Sequence, residues 1–249
     1  MHLFDEIIRD IRDFMDTPRA GDPVRRFSID LPPNWPPAGP RDIVLKADLG
    51  VELGGPSSES AAFLVWTGDP MLVQDGRMTL IGPDLDPAAG PELSFGKVML
   101  LAARDFDEEN SYDRFRRMSQ VRFDVSPKGC MMRAVGQAMR EWRRVSREAL
   151  ERGFSLVVLG RALASAYRAL GFVEKVEILF VTAGPEAVRG LADIGRRAQI
   201  RLDALTRMAG ELIFDCRACE YKDLCDQVDD LKAMRRKRMG GRPGVVKMP

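Results

Sequence analysis

Three cysteines, Cys216, Cys219 and Cys225, stand within ten residues near the C-terminal end of this 249-residue sequence. A Cys-x2-Cys pair lets two thiolates reach one metal centre from a single turn, and a third thiol after five more residues adds a ligand once the chain bends back. The remaining cysteine, Cys130, is the candidate fourth ligand. The sole histidine is His2, and no second Cys-x2-Cys knuckle is present, so the donor set favours iron–sulfur over zinc. Four thiolates fit a [4Fe–4S] cluster. Three fit a cluster with an open or non-cysteine site, or zinc completed by Asp215 or Asp226. Reduced structural cysteines without metal are the remaining reading. Disulfides are disfavoured, because neither a signal peptide nor a long apolar run is evident and the chain is expected in a reducing, cytoplasmic setting with no membrane contact.

A second pattern lies upstream. If Met131 to Arg152 forms one helix, Arg133, Arg140, Arg144 and Arg147 fall within ~60° of one another, with Val135, Met139, Trp142, Val145 and Ala149 opposite. Four guanidinium groups on one stripe repel unless something anionic neutralises them. Glu141, Glu148 and Glu151 on the flanks are one source of neutralisation. An anionic or phosphate-bearing ligand, or an acidic partner protein, gripped by planar bidentate donors, is the other.

Most other chemistry is excluded by what is missing. The sequence has no Gly-x4-Gly-Lys-Ser/Thr loop, no Gly-x-Gly-x2-Gly after a strand and no nucleophile elbow. One histidine cannot support a triad. Paired acids such as Asp84 and Asp86, or Asp229 and Asp230, read as solvated turn or helix-face groups.

The elements that must position these residues follow from periodicity. Leu3 to Met15 is an amphipathic helix and, with its linker, forms a module over residues 1–24. Residues 25–210 read as an α+β domain. Its strands are expected at Arg26 to Leu31, Ile43 to Leu49, Ala61 to Trp66, Arg77 to Ile81, Lys97 to Ala103 and Val173 to Thr182, in a mixed, largely antiparallel sheet. Helices are expected at Glu108 to Arg122, Met131 to Arg152, Leu156 to Leu170 and Pro185 to Met208, the last with proline correctly in its first turn. The run Pro32 to Pro37 lacks donors for a sheet interior, so Trp35 lies on a surface segment. Residues 211–231 form the cysteine-rich module that closes the fold as a C-terminal iron–sulfur loop. Residues 232–249 form a basic tail carrying seven Lys and Arg and no acid, although the whole chain has a net charge of only +1.

The order of short motifs adds a family. Glu52-Leu53-Gly54-Gly55-Pro56, the run Gly76 to Asp86, Gly136-Gln137 leading into Trp142-Arg143-Arg144-Val145-Ser146-Arg147-Glu148-Ala149, Gly153 to Leu156 and Glu174 to Ile178 together resemble the acetyl-CoA synthase family, the β subunit of the CO dehydrogenase/acetyl-CoA synthase complex. The likeness covers roughly residues 42–230 and corresponds to the family's middle domain. It implies a subunit in one-carbon metabolism, with a protein partner and a role in electron transfer. It also implies coenzyme A near Trp142 and Arg144, which match a Trp-x-Arg-x-Ser pattern, and a [4Fe–4S] cubane on Cys216, Cys219 and, at shorter spacing, Cys225. The family's fourth cubane cysteine has no counterpart after Cys225 and its nickel-binding Cys-Gly-Cys is absent, so the resemblance implies a truncated, cluster-bearing relative. An assembly protein whose metal only staples the fold is a second reading. A third comes from a likeness of the cysteine spacing to RecB-like nucleases, which would suit the basic tail to nucleic acid.

Overall fold

The structure is a computed structural model. It describes residues 3–17, 22–39, 42–85, 90–104, 106, 110–135 and 139–211. The chain separates into two compact units, 1–206 and 207–249, and the fold below is that of the first. Cys216, Cys219, Cys225 and the basic tail lie outside the described residues.

The architecture is α+β, built on two mixed sheets rather than the single sheet expected. The larger has the order β1-β4-β9-β6-β3, formed by β1 (Val24–Ser28), β4 (Arg77–Ile81), β9 (Val173–Val181), β6 (Phe95–Ala103) and β3 (Ser60–Thr67). β9 pairs parallel with β4 and antiparallel with β6, and β6 pairs parallel with β3. Every residue of β6 is buried, the signature of a strand covered on both faces. The smaller sheet has the order β5-β2-β8-β7, formed by β5 (Glu92–Leu93), β2 (Leu49–Leu53), β8 (Glu141–Ser146) and β7 (Cys130–Val135).

Helices cover both faces of the larger sheet. α1 (Asp5–Asp16) buries Ile7, Ile8, Ile11 and Met15, the stripe set by their i, i+4 spacing. α5 (Pro185–Glu211) lies on the same face. Its Leu191 comes so close to Gly96 of β6 that a Cβ there would stand 2.7 Å from Leu191 Cδ2. Arg197 and Arg201 of α5 pair with Asp10 and Glu6 of α1. The opposite face takes α4 (Leu156–Arg168), whose Gly160 admits Met78 and Phe180. The first turn of α4 is capped by Asp84, whose carboxylate accepts from the Leu156 N–H at 2.9 Å. α2 (Ser111–Asp124) packs beside α4.

Two expectations are corrected. No helix runs from Met131 to Arg152. That stretch is the β7–β8 hairpin followed by the short helix α3 (Arg147–Glu151), so the four arginines do not share a helical stripe. The reason is a period of two. Glu141, Arg143 and Val145 are buried while Trp142, Arg144 and Ser146 are half-buried, an alternation that only a strand produces. Residues 43–48 likewise form no strand. Ile43 and Leu45 are exposed with only Val44 buried, the Asp48 N–H closes a turn on Leu45, and pairing begins at Leu49. Trp35 covers a core edge: its ring meets Phe154 at 5.3 Å and its indole donates to the Lys128 carbonyl.

Candidate functional site on the outer face of the small sheet

β8 carries two different surfaces. On its outer face Trp142 stands between arginines. The guanidinium carbons of Arg133, from β7, and of Arg144, two residues further along β8, each lie 5.5 Å from the Trp142 ring centroid. Arg133 sits at the register shift between Met132 and Ala134, where a bulge re-aims a side chain. The Trp142 indole N–H is buried and has no hydrogen-bond partner among the described residues. Arg144 donates through Nε to Glu52 of β2 at 2.6 Å. Arg140, just before β8, donates one terminal nitrogen to the carbonyls of Gly55 and Ser58 at 2.6 and 3.1 Å. Among the described residues the other guanidinium nitrogens of Arg140 and Arg144 show no hydrogen bond. Met139, directly before Arg140, has φ of 56°, a conformation that costs a non-glycine residue free energy and is held here by its carbonyl accepting from Ala62 N–H.

The structure therefore brings Arg133, Trp142 and Arg144 together, with Arg140 on the adjoining turn. Arg147 stands elsewhere. It begins α3, donates its backbone N–H to the Asp48 carbonyl, and lines a groove of about 310 Å³ with Trp35 and Lys128.

The inner face of β8 holds a group of charges that the sequence reading missed. Glu141, Arg143 and Lys97 of β6 are all buried. The Glu141 carboxylate accepts from the Lys97 ammonium and, at 2.6 Å, from Arg143 Nε. Arg143 also reaches the Arg122 and Val125 carbonyls at the end of α2, each at 3.4 Å. Burial lowers the Lys97 amine to about 8, against the pull of Glu141. Burial also works to raise Glu141, but the charges and hydrogen bonds of Lys97 and Arg143 outweigh it and hold the carboxyl at about 2. One signal was available: Lys97 is a lone charge inside the apolar run Phe95–Ala103.

Cys130 opens β7 and is 1% exposed. Burial pushes its thiol up, and Arg143 is its hydrogen-bonding neighbour. With no metal beside it, this seat suits a protonated core thiol. Among the described residues no three His, Cys, Asp or Glu side chains are arranged to hold a metal ion. The spacing of Cys216, Cys219 and Cys225 fits a cluster by donor chemistry alone. Among the described residues no helix is long and apolar enough to cross a membrane.

Comparison with known proteins gives the chain a family. Residues 34–188 match the family model for the CO dehydrogenase/acetyl-CoA synthase complex beta subunit, and that span contains both sheets' site residues. The chain belongs to that family. Among curated members, it is 26% identical to the carbon monoxide dehydrogenase/acetyl-CoA synthase subunit alpha of Moorella thermoacetica over 79% of this chain and 27% of that protein. It is 29% identical to the acetyl-CoA decarbonylase/synthase complex subunit beta of Methanopyrus kandleri over 70% of this chain and 37% of that protein. The corresponding subunit of Archaeoglobus fulgidus is 25% identical over 78% of this chain and 37% of its own length. The chain thus spans about a quarter to two fifths of these relatives. The matched span includes Trp142 and Arg144.

Proposed function

We propose that the chain is a coenzyme A-binding, iron–sulfur subunit of an assembly of the CO dehydrogenase/acetyl-CoA synthase type, serving one-carbon metabolism by holding coenzyme A and relaying electrons to a partner protein. The observation that carries the ligand is the Trp142 face. An indole with a buried, unpartnered N–H, two guanidinium groups at 5.5 Å and a third on the adjacent turn combine an aromatic surface with planar donors. An adenine nucleotide bearing several phosphates offers the complementary base and anionic oxygens. In the relatives' names the same sequence family is tied to acetyl-CoA chemistry.

The residues here would bind and orient. Arg144, fixed through Nε by Glu52, presents its terminal nitrogens in a set plane, and Arg140 is held by the Gly55 and Ser58 carbonyls, so little side-chain freedom is lost when an anion arrives. Three thiolates, Cys216, Cys219 and Cys225, would hold a cluster, which supplies one-electron capacity when bound. The buried seat of Cys130 beside Arg143 favours a fourth ligand from another group.

Isothermal titration of anaerobically purified chain with coenzyme A tests the ligand. Binding should weaken at least tenfold in Arg144→Glu and Trp142→Ala, and unchanged affinity in both would sink the site. Iron, sulfide and zinc analysis of the same material, with a reversible one-electron titration, tests the cluster. Zinc without sulfide ends the electron-transfer reading, and a redox-silent cluster leaves a structural staple.

A further inference from the structure

We infer that the buried Lys97–Glu141–Arg143 group is a positioning device: it locks the register of β8 against the larger sheet and so decides that Trp142, Arg140 and Arg144 face the ligand side. This rests on the coenzyme A reading of the outer face and names the residues that set it.

A strand alternates faces with a period of two, so a slip of one residue would carry Trp142 inward and Arg143 outward. Hydrophobic contrast guards β8 poorly against such a slip, because Val145 is the one apolar residue among its three inward positions. The contacts of Glu141 have direction. Its carboxylate is held by Lys97 of β6, a different sheet, and by Arg143 of its own strand. Its backbone N–H donates to Ser60 Oγ at 3.0 Å, and the Ser60 hydroxyl donates to its carbonyl at 2.8 Å, tying it to β3 as well. Arg143 adds the end of α2. Three elements outside the small sheet therefore grip two consecutive inward positions. A slipped strand would turn Glu141 and Arg143 outward and leave the buried Lys97 ammonium without its carboxylate, which the interior penalises far more than a mispacked methyl group. The outward residues Arg140, Trp142 and Arg144 alternate with these two, so their direction follows from the grip. Gly54 permits the approach: its φ is +63° and a Cβ there would stand 2.4 Å from the Glu141 carbonyl.

The test uses the full chain labelled with 5-fluorotryptophan, whose three tryptophans give three fluorine resonances, with that of Trp142 assigned through Trp142→Phe. In the double variant Lys97→Met/Glu141→Gln the buried net charge is conserved. The Trp66 and Trp35 resonances are expected to stay in place, the Trp142 resonance to shift or broaden, and the coenzyme A Kd to rise about tenfold, the low end of what supporting contacts contribute at a bound site. A double variant with native Trp66 and native Trp142 signals and a native Kd overturns the inference. If the Trp66 signal collapses, the variant has unfolded and Ser60→Ala decides: it removes only the hydroxyl tie, should move the Trp142 signal alone, and overturns the inference if it does not. A native chain that fails to bind coenzyme A would end the ligand reading, while the Trp142 resonance would still decide the positioning role.

Discussion

Arg12 of α1 and Glu177 of β9 meet as a two-pronged ion pair, each carboxylate oxygen taking a different terminal nitrogen at 2.5 Å, with the carboxylate fully buried. Arg77 of β4 and the Gln74 N–H complete the same carboxylate. α1 is thus fastened to the sheet by charge as well as by its isoleucine stripe. Glu177→Gln leaves two arginines around a neutral amide, and urea unfolding should show a loss of about 3–5 kcal/mol, as for breaking a buried pair from one side. Arg12→Ala should cost less, about 1–3 kcal/mol, because Arg77 still neutralises the carboxylate.

Glu141 sets an acid limb. Its folded-state carboxyl lies at about 2 against an ordinary value of 4.5, so the stabilisation is fully present above pH 4.5 and disappears as pH falls through about 2. A displacement of that size corresponds to about 3 kcal/mol. Urea midpoints of the native chain should fall between pH 4.5 and 2. Those of Glu141→Gln, already lower at pH 6, should fall less over the same interval, and parallel curves would remove Glu141 as the cause.

Gly54 and Gly153 both have positive φ, but they differ in surroundings. A Cβ at Gly54 would overlap the Glu141 carbonyl and the Ser60 side chain, whereas nothing lies within 4 Å of one at Gly153. Gly153→Ala should therefore lose only the conformational cost, about 1–2 kcal/mol. Gly54→Ala should lose more in thermal unfolding and should also weaken coenzyme A binding, because it pushes β2 away from β8. Equal losses would show that the close approach is unimportant.

Cys130→Ser should leave iron and sulfide per chain unchanged in anaerobic preparations, since the thiol occupies a core seat beside Arg143. A matched loss of both would make Cys130 a ligand and require its strand to open. Replacing Cys219 by serine should lower both.

Long elements with one chemical theme were legible. The isoleucine spacing of α1, the aliphatic run of β4 and the Gly-Pro entry to α5 each point to one structure, and local preference and tertiary role agree. β8 was not legible, for a physical reason. Its inward positions are occupied by Glu141 and Arg143, so the apolar alternation that marks a strand is replaced by a charged one, and the arginines then mimic a helical stripe. Arg144 was singled out by the arginine spacing, and the family pattern then named it together with Trp142. Lys97 was passed over because its strand was read for aliphatic content, and the sign that mattered was the one residue that did not belong. The segment 43–48 misled in the opposite way, with strand-forming residues that the fold leaves unpaired.

β9 has a consequence for the order of assembly. Glu177, which neutralises Arg77 of β4, stands 100 residues further along the chain, and the same strand fills the gap between β4 and β6. A nascent chain that has emerged only through α2 therefore holds β6, apolar but for Lys97, with one flank open and Arg77 without its carboxylate. Closing such long loops is slow, and the waiting edge is adhesive. Synthesis of this protein should accordingly depend on holding chaperones until residues near 181 clear the ribosome, and fragments ending before β9 should precipitate rather than fold.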